Sequence, residues 1–141
     1  MKLKVNEIYA TFQGEGTTVG MPCTFLRLSV CNLHCVWCDT YYTWNFGKGD
    51  GKETRHGLPT VKMKDELVEI ETADVYEQIM NLETKNLVIS GGEPMLQQAA
   101  LTEMLRMDGD IERVEIETNG TVVPDYIFSA LVSQFNVSPK L

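Results

Sequence analysis

The sequence predicts an α/β fold built on parallel strands, and three observations predict it. Short β-prone apolar runs alternate with stretches of helical periodicity, the pattern of βαβ units. The most distinctive motifs fall directly after predicted strands, where α/β folds place their ligands. The chain has 141 residues, enough for one domain with a hydrophobic core, and no internal repeat.

The elements follow in order. Leu3 to Ile8 alternates weakly and reads as a strand, and Thr11-Phe12-Gln13-Gly14-Glu15-Gly16 as a glycine-punctuated loop. Cys23 to Val30 (CTFLRLSV) is apolar and β-prone, a second strand with a cysteine cluster at its carboxyl end. Residues 45–60 (NFGKGDGKETRHGLPT) are rich in glycine and charge and read as an exposed loop, a tolerated surface insertion. Thr72 is placed to N-cap a helix, with Asp74 in the first turn and Val75, Ile79 and Leu82 on one face. Asn86 to Ser90 is a short apolar run that stops at Gly91-Gly92, a buried strand.

Gln97 to Met107 reads as a helix with Leu101, Met104 and Leu105 inward, and Arg113 to Glu117 as a strand closed by Asn119-Gly120. Pro124 is expected to open the next helix, because a first-turn proline forfeits no hydrogen bond. Phe135 to Val137 begins a last strand that Ser138-Pro139-Lys140 ends. The sequence stops at Leu141 with no covering helix. A parallel strand needs both faces covered, so a truncated chain, or one completed by a partner, is expected.

Lysine and arginine number 12 against 20 acidic residues, a net charge of -8, which argues against nucleic acid or an anionic membrane as the main partner. No apolar run approaches the ~20 residues that span a bilayer. The N-terminus lacks the apolar stretch of a signal peptide, so a cytoplasmic location is the expectation.

Three of the four cysteines, Cys31, Cys35 and Cys38, crowd into one C-x3-C-x2-C segment. Without a sign of secretion, such clustering favours metal chemistry over disulfides. Closely spaced thiolates on a loop suit an iron–sulfur cluster, and three ligands leave one iron of a four-iron cluster open. A zinc site with His34 or Cys23 as fourth ligand is the competing assignment. The ordinary readings are Cys23 as a small core residue and His34 as a loop-shaping or solvent-facing side chain.

The C-x3-C-x2-C spacing, with Gly91-Gly92-Glu93-Pro94 after a later strand, resembles the radical S-adenosylmethionine (SAM) superfamily. Glu7 with Gln13-Gly14-Glu15-Gly16, then Phe25-Leu26-Arg27-Leu28, Cys38-Asp39-Thr40 and Ser138-Pro139-Lys140 narrow the resemblance to its 7-carboxy-7-deazaguanine synthase family, from Val5 to Leu141. The resemblance implies a partial (β/α) barrel of the radical SAM type, truncated at its C-terminal end, with residues 1–141 as one domain. It implies a [4Fe–4S] cluster, SAM and Mg2+ as cofactors. The chemistry implied is one-electron cleavage of SAM, hydrogen abstraction from 6-carboxy-5,6,7,8-tetrahydropterin, ring contraction and loss of ammonia, in queuosine or related 7-deazapurine biosynthesis.

The resemblance also assigns roles. Cys31, Cys35 and Cys38 would hold the cluster. Trp37, Cys38, Asp39, Gly92, Glu93, Ser138, Pro139 and Lys140 would contact SAM, although Trp37 serves equally as packing over the cluster. Phe12, Gln13, Gly14, Arg27 and Ser90 would bind substrate. Relatives often carry Leu or Ile at the position of Phe12 and Thr at that of Ser90. Thr40 would ligate Mg2+, its ordinary reading being a turn residue. For Arg27 the alternative to a paired substrate carboxylate is a structural ion pair with Glu7 or Glu15. Glu117 would contact substrate or SAM. Implied partners are a pterin substrate, an electron donor such as flavodoxin or ferredoxin, and a second copy in a homodimer. Two rivals stand beside this reading: an activase of anaerobic ribonucleotide reductase, with the same chemistry on a protein, and a non-catalytic zinc module.

Overall fold

The computed structural model describes residues 1–140. The chain runs β1 (Lys2–Phe12), β2 (Pro22–Leu28), a hairpin of β3 (Thr54–Arg55) and β4 (Leu58–Pro59), α1 (Met63–Glu66), β5 (Val68–Glu71), α2 (Thr72–Met80), β6 (Asn86–Gly91), α3 (Gln98–Leu105), β7 (Arg113–Thr118), α4 (Tyr126–Leu131) and β8 (Gln134–Val137). The main sheet has the order β5-β1-β2-β6-β7-β8. Strands β2, β6, β7 and β8 are parallel. The fold is α/β as expected, with the parallel strands and crossover helices of a partial (β/α) barrel.

β1 departs from the parallel pattern and runs antiparallel to both β2 and β5. The connection of residues 13–21 is too short for the crossover that a parallel pair needs. The strand also extends to Phe12, which pairs with Pro22, so Phe12 is a strand residue and not part of a loop.

Alternation along the strands sorts their side chains onto two faces. Leu26, Leu28, Leu87, Ile89, Val114 and Ile116 turn to the helices and form one core with Val75, Ile79, Leu101, Met104 and Phe128. Fully burying one such side chain contributes about 1.5–3 kcal/mol. The opposite face carries a small apolar floor of Cys23, Phe25, Val88 and Tyr9. Arg27, Ser90 and Glu117, two positions beyond floor or buried polar residues on their strands, line the cavity described below.

Local details differ from the sequence reading for identifiable reasons. Thr72 is the first residue of α2, not its cap; its hydroxyl is spent on Glu103. Pro124 precedes the α4 cap, which is Asp125 accepting from the Phe128 backbone at 2.8 Å. Pro94–Gln97 forms a separate 3-10 turn before α3. The segment 45–60 holds a hairpin whose turn residues His56 and Gly57 both have positive φ, 53° and 77°, as a type I′ turn demands. The Asn45 side-chain amide donates to the carbonyls of Arg55, Leu58 and Pro59 and pins that hairpin down. Among the described residues no helix is long and apolar enough to cross a membrane.

Candidate active site

A cavity of about 460 Å³ opens at the carboxyl ends of β2, β6 and β7, beside the segment after β8. The cysteine loop forms one wall and Arg27, Ser90 and Glu117 another.

The loop begins with a backbone contortion. Val30 sits at φ 82°, a region that β-branched residues avoid. Two bonds hold it there: its N–H donates to Thr43 O at 2.7 Å, and its carbonyl accepts from Glu93 N at 2.9 Å. Gly92 lies flat against this turn, where a Cβ would collide with the Val30 carbonyl and approach Cys31 Cβ at 2.9 Å. Gly91, at φ 143°, crowds the Leu28 backbone in the same way. The Gly-Gly pair thus permits β6 to press directly against the root of the cysteine loop.

Cys31, Cys35 and Cys38 are free, half-buried thiols facing the cavity. Backbone and side-chain donors approach two of the sulfurs: Leu33 N to Cys31 Sγ at 3.4 Å and Trp44 Nε1 to Cys38 Sγ at 3.3 Å. The Thr40 hydroxyl lies 3.6 Å from Cys38 Sγ. Burial pushes the Cys31 thiol up; the Leu33 N–H opposes that, while Glu93, Cys38 and Cys35 add to it. A thiol so placed becomes a thiolate when a cation binds it.

Among the described residues no three His, Cys, Asp or Glu side chains are gathered into a ready-made metal site. A four-iron cluster takes one thiolate on each of three irons, so its ligands surround it without converging. Three cavity-facing thiols, two of them with N–H donors to sulfur, fit that group. His34 is exposed and stacks on His56, with ring centroids 4.4 Å apart, and Cys23 lies in the apolar floor.

On the facing wall, Arg27 Nε donates to Glu7 Oε1 at 2.7 Å, the pair foreseen as its structural alternative. Its guanidinium also stands 4.9 Å over the Phe25 ring and borders the cavity. Burial works against its charge, but Glu7 and the Tyr42 and Tyr9 hydroxyls outweigh it and its pKa is raised. Ser90 and Glu117 both line the cavity there. Burial pushes the Glu117 carboxyl up, against the influence of the Ser90 hydroxyl and with the nearby charge of Glu15.

Other expected residues take different positions. Glu93 is fully buried: Met95 N, Thr118 Oγ1 and Asn119 N donate to its carboxylate at 3.0, 2.8 and 2.8 Å. The expected bond to a SAM ammonium gives way to this internal role, because no face of the carboxylate is exposed. Phe12 is 66% exposed at the end of β1, and its side chain does not line the cavity. Gln13 is buried behind the wall, its carbonyl capping the Gly14 and Glu15 N–H groups and so aiming Glu15 into the cavity. Trp37 is 65% exposed at the rim and shields little. Asp39, Thr40, Gly92, Ser138 and Lys140 line the cavity, with Pro139 between the last two; Lys140 Nζ donates to Ser138 Oγ at 2.8 Å.

Sequence reasoning missed Trp44 and Asn136 as cavity residues and gave Glu15 and Asn119 no individual role in the cavity. Asn119 reaches Asn32 inside the cysteine loop at 3.1 Å and ties that loop to β7. The Asn119-Gly120 turn was visible, but nothing local showed that its amide crosses to another loop.

The chain is similar to several 7-carboxy-7-deazaguanine synthases. It is 32% identical to that of Pyrobaculum aerophilum over 99% of this chain and 56% of the relative. Identity to that of Buchnera aphidicola is 33%, over 100% of this chain and 64% of the relative. A crystal structure of QueE from Escherichia coli superposes with a TM-score of 0.71 at 32% identity, covering all of this chain and 61% of that one. The chain thus spans 56% to 64% of the length of these relatives. Residues 27–139, from the cavity arginine through the segment after β8, match the family model of the Radical SAM superfamily. With that match covering the cysteine loop, the Gly-Gly cradle and strands β6, β7 and β8, the chain belongs to the radical SAM superfamily.

Proposed function

We propose that this chain carries the catalytic core of a 7-carboxy-7-deazaguanine synthase, a carbon–nitrogen lyase. It would convert 6-carboxy-5,6,7,8-tetrahydropterin to 7-carboxy-7-deazaguanine with loss of ammonia, within queuosine or related 7-deazapurine biosynthesis. The observation that carries the reading is the pairing of a three-thiol wall with a facing Arg27–Ser90–Glu117 wall across one cavity. Relatives of that name, aligned over nearly the whole chain, support it.

Cys31, Cys35 and Cys38 would hold the [4Fe–4S] cluster, which when bound supplies the electron and the open iron site for cleavage of SAM. The protein's own part is binding and orientation. Gly92 gives the SAM amino-acid end close approach to the backbone, and Asp39, Ser138, Pro139 and Lys140 offer carboxylate, hydroxyl and ammonium partners along the same rim. Glu93 acts behind them, holding Thr118 and Asn119 in place. Arg27 offers its guanidinium to the substrate carboxylate while Glu7 fixes its orientation. Ser90 and Glu117 face the ring, with Gln13 and Gly14 supplying the loop over it. Phe12 would act through its backbone, since its side chain points away. Thr40 offers a hard-oxygen ligand for Mg2+, which commonly keeps water and substrate oxygens as its other ligands.

The same reading includes a homodimer, a cytoplasmic location, and a one-electron donor such as flavodoxin or ferredoxin. It includes neither a nucleic-acid nor a membrane partner, in keeping with the net charge of -8. No observation favours the activase or the zinc module.

The test is anaerobic reconstitution with iron and sulfide, followed by SAM, reductant, Mg2+ and the carboxytetrahydropterin. Formation of 7-carboxy-7-deazaguanine by absorbance and mass is expected. SAM cleavage without that product would remove the substrate assignment and leave the superfamily membership standing.

A further inference from the structure

We propose that Trp44 is a positioning residue for the iron–sulfur site: its indole N–H, held by the 54–59 hairpin, donates to the Cys38 sulfur and raises the cluster's reduction potential. This rests on membership of the radical SAM superfamily and not on the identity of the substrate.

Trp44 is 9% exposed, whereas Trp37, the chain's other tryptophan, is 65% exposed. Its backbone closes the 3-10 turn at Tyr41–Thr43, donating to Tyr41 O at 3.1 Å. That turn is anchored to the root of the cysteine loop through the Val30 to Thr43 bond. The indole is then held by two histidines. His34, between Cys31 and Cys35, packs on it at 5.0 Å between ring centroids, and His56 of the hairpin turn at 5.7 Å. The histidines stack on each other at 4.4 Å, so hairpin, tryptophan and cysteine loop meet in one three-ring cluster. The Asn45 amide, which binds three hairpin carbonyls, keeps His56 in that stack. Nε1 ends 3.3 Å from Cys38 Sγ, in range for a hydrogen bond to sulfur.

Such a donor withdraws charge from the ligating sulfur. Reduction adds negative charge to the cluster, so the donor stabilises the reduced form more than the oxidised one. The ring itself acts in the opposite sense, because excluding water disfavours the more charged, reduced form. Replacing tryptophan by phenylalanine keeps an aromatic ring and removes the donor, which separates the two effects.

The experiment is a redox titration of anaerobically reconstituted Trp44→Phe and parent protein, read by the spectrum of the reduced cluster. The expected result is a lower midpoint potential in Trp44→Phe at equal iron content; an unchanged or higher one overturns the proposal. If Trp44→Phe fails to load iron, the decision passes to parent protein and Trp37→Phe grown with 15N-indole tryptophan. An indole nitrogen and an exchangeable proton coupled to the reduced cluster, retained in Trp37→Phe, support the proposal. Absence of coupling, or its loss with Trp37, refutes it.

Discussion

Across the floor of the sheet, the Gln13 side-chain amide donates to Glu115 Oε2 at 3.1 Å. Thr18, Arg113 and Asn136 donate to the same carboxylate at 2.6, 2.7 and 3.0 Å, so one buried group joins the loop after β1 to β7 and β8. Replacing it by alanine strands four donors, one of them cationic. Glu115→Ala is expected to lose about 2–4 kcal/mol of stability, the usual scale for orphaned buried partners. Urea denaturation measures the loss, and hydrogen exchange should show residues 13–18 opening first. An unaltered exchange pattern there would mean that the loop is held by something else.

The same carboxylate carries an acid limb of stability. Burial tends to raise its pKa, but the bonds from Arg113, Thr18, Gln13 and Asn136 outweigh that and hold it below the ordinary value of 4.5. A group depressed in the folded state stabilises above its unfolded pKa and loses that contribution as pH falls through the folded value. The stability gap between parent and Glu115→Gln should therefore shrink as pH drops below 4.5. Paired denaturation curves from neutral to acid pH read the trend, and a gap constant with pH contradicts it.

Much of this arrangement was legible from sequence, and what was not has a common cause. The parallel core strands, the Gly91-Gly92 stop and the cysteine loop follow from local composition and spacing. The antiparallel β1, the β5 edge and the β3–β4 hairpin depend on pairing partners far along the chain. The hairpin segment reads as loop because its glycines and charges are common in loops, while the three bonds from Asn45 that order it leave no local trace. Site residues behave alike. Arg27 and Ser90 could be placed by motif, whereas Glu93 changed role because both its oxygens are claimed by the β7 end, a contact that its own neighbourhood does not announce.

Glu117 should show the opposite pH trend to Glu115. Burial raises its pKa and Glu15 adds to that, only partly offset by the nearby Ser90 and Gln13 side chains and by Arg27. A carboxyl raised in the folded state opposes folding once it must ionise, so its favourable contribution disappears as pH rises through the folded value. Glu117→Gln, which never ionises, should gain stability relative to the parent as pH climbs from 4.5 towards neutrality. Thermal denaturation at a series of pH values checks this; a flat difference rules out the shifted carboxyl.

Gly92→Ala isolates the cradle beneath the cysteine loop. The added methyl meets the Val30 carbonyl and Cys31 Cβ, and the Val30 turn is already held in an unfavourable backbone region. The loop must move to admit it, at a cost of roughly 1–3 kcal/mol by analogy with other overpacked sites. Iron incorporation per chain should fall below that of the parent while far-UV circular dichroism stays the same. Full iron loading would show that the loop tolerates the shift.

Arg27 and Cys35 separate substrate recognition from cluster assembly. Cys35→Ala removes one of the three proposed iron ligands, and loss of both the brown chromophore and SAM cleavage is expected. Arg27 touches none of the cysteines; its Nε is held by Glu7, which orients the guanidinium at the cavity wall. Arg27→Ala should therefore keep iron content and SAM cleavage while binding the carboxytetrahydropterin roughly 10- to 100-fold more weakly, the scale of a lost charge-assisted hydrogen bond. Glu7 is itself 43% exposed and can turn to solvent when its partner goes, so little of that loss should come from unfolding. Arg27→Lys sharpens the argument, because a point charge cannot reproduce the planar fork and should recover only part of the affinity. Calorimetric titration of the substrate into each reconstituted variant gives the comparison. Equal affinity in Arg27→Ala and parent would return Arg27 to a purely structural pair with Glu7.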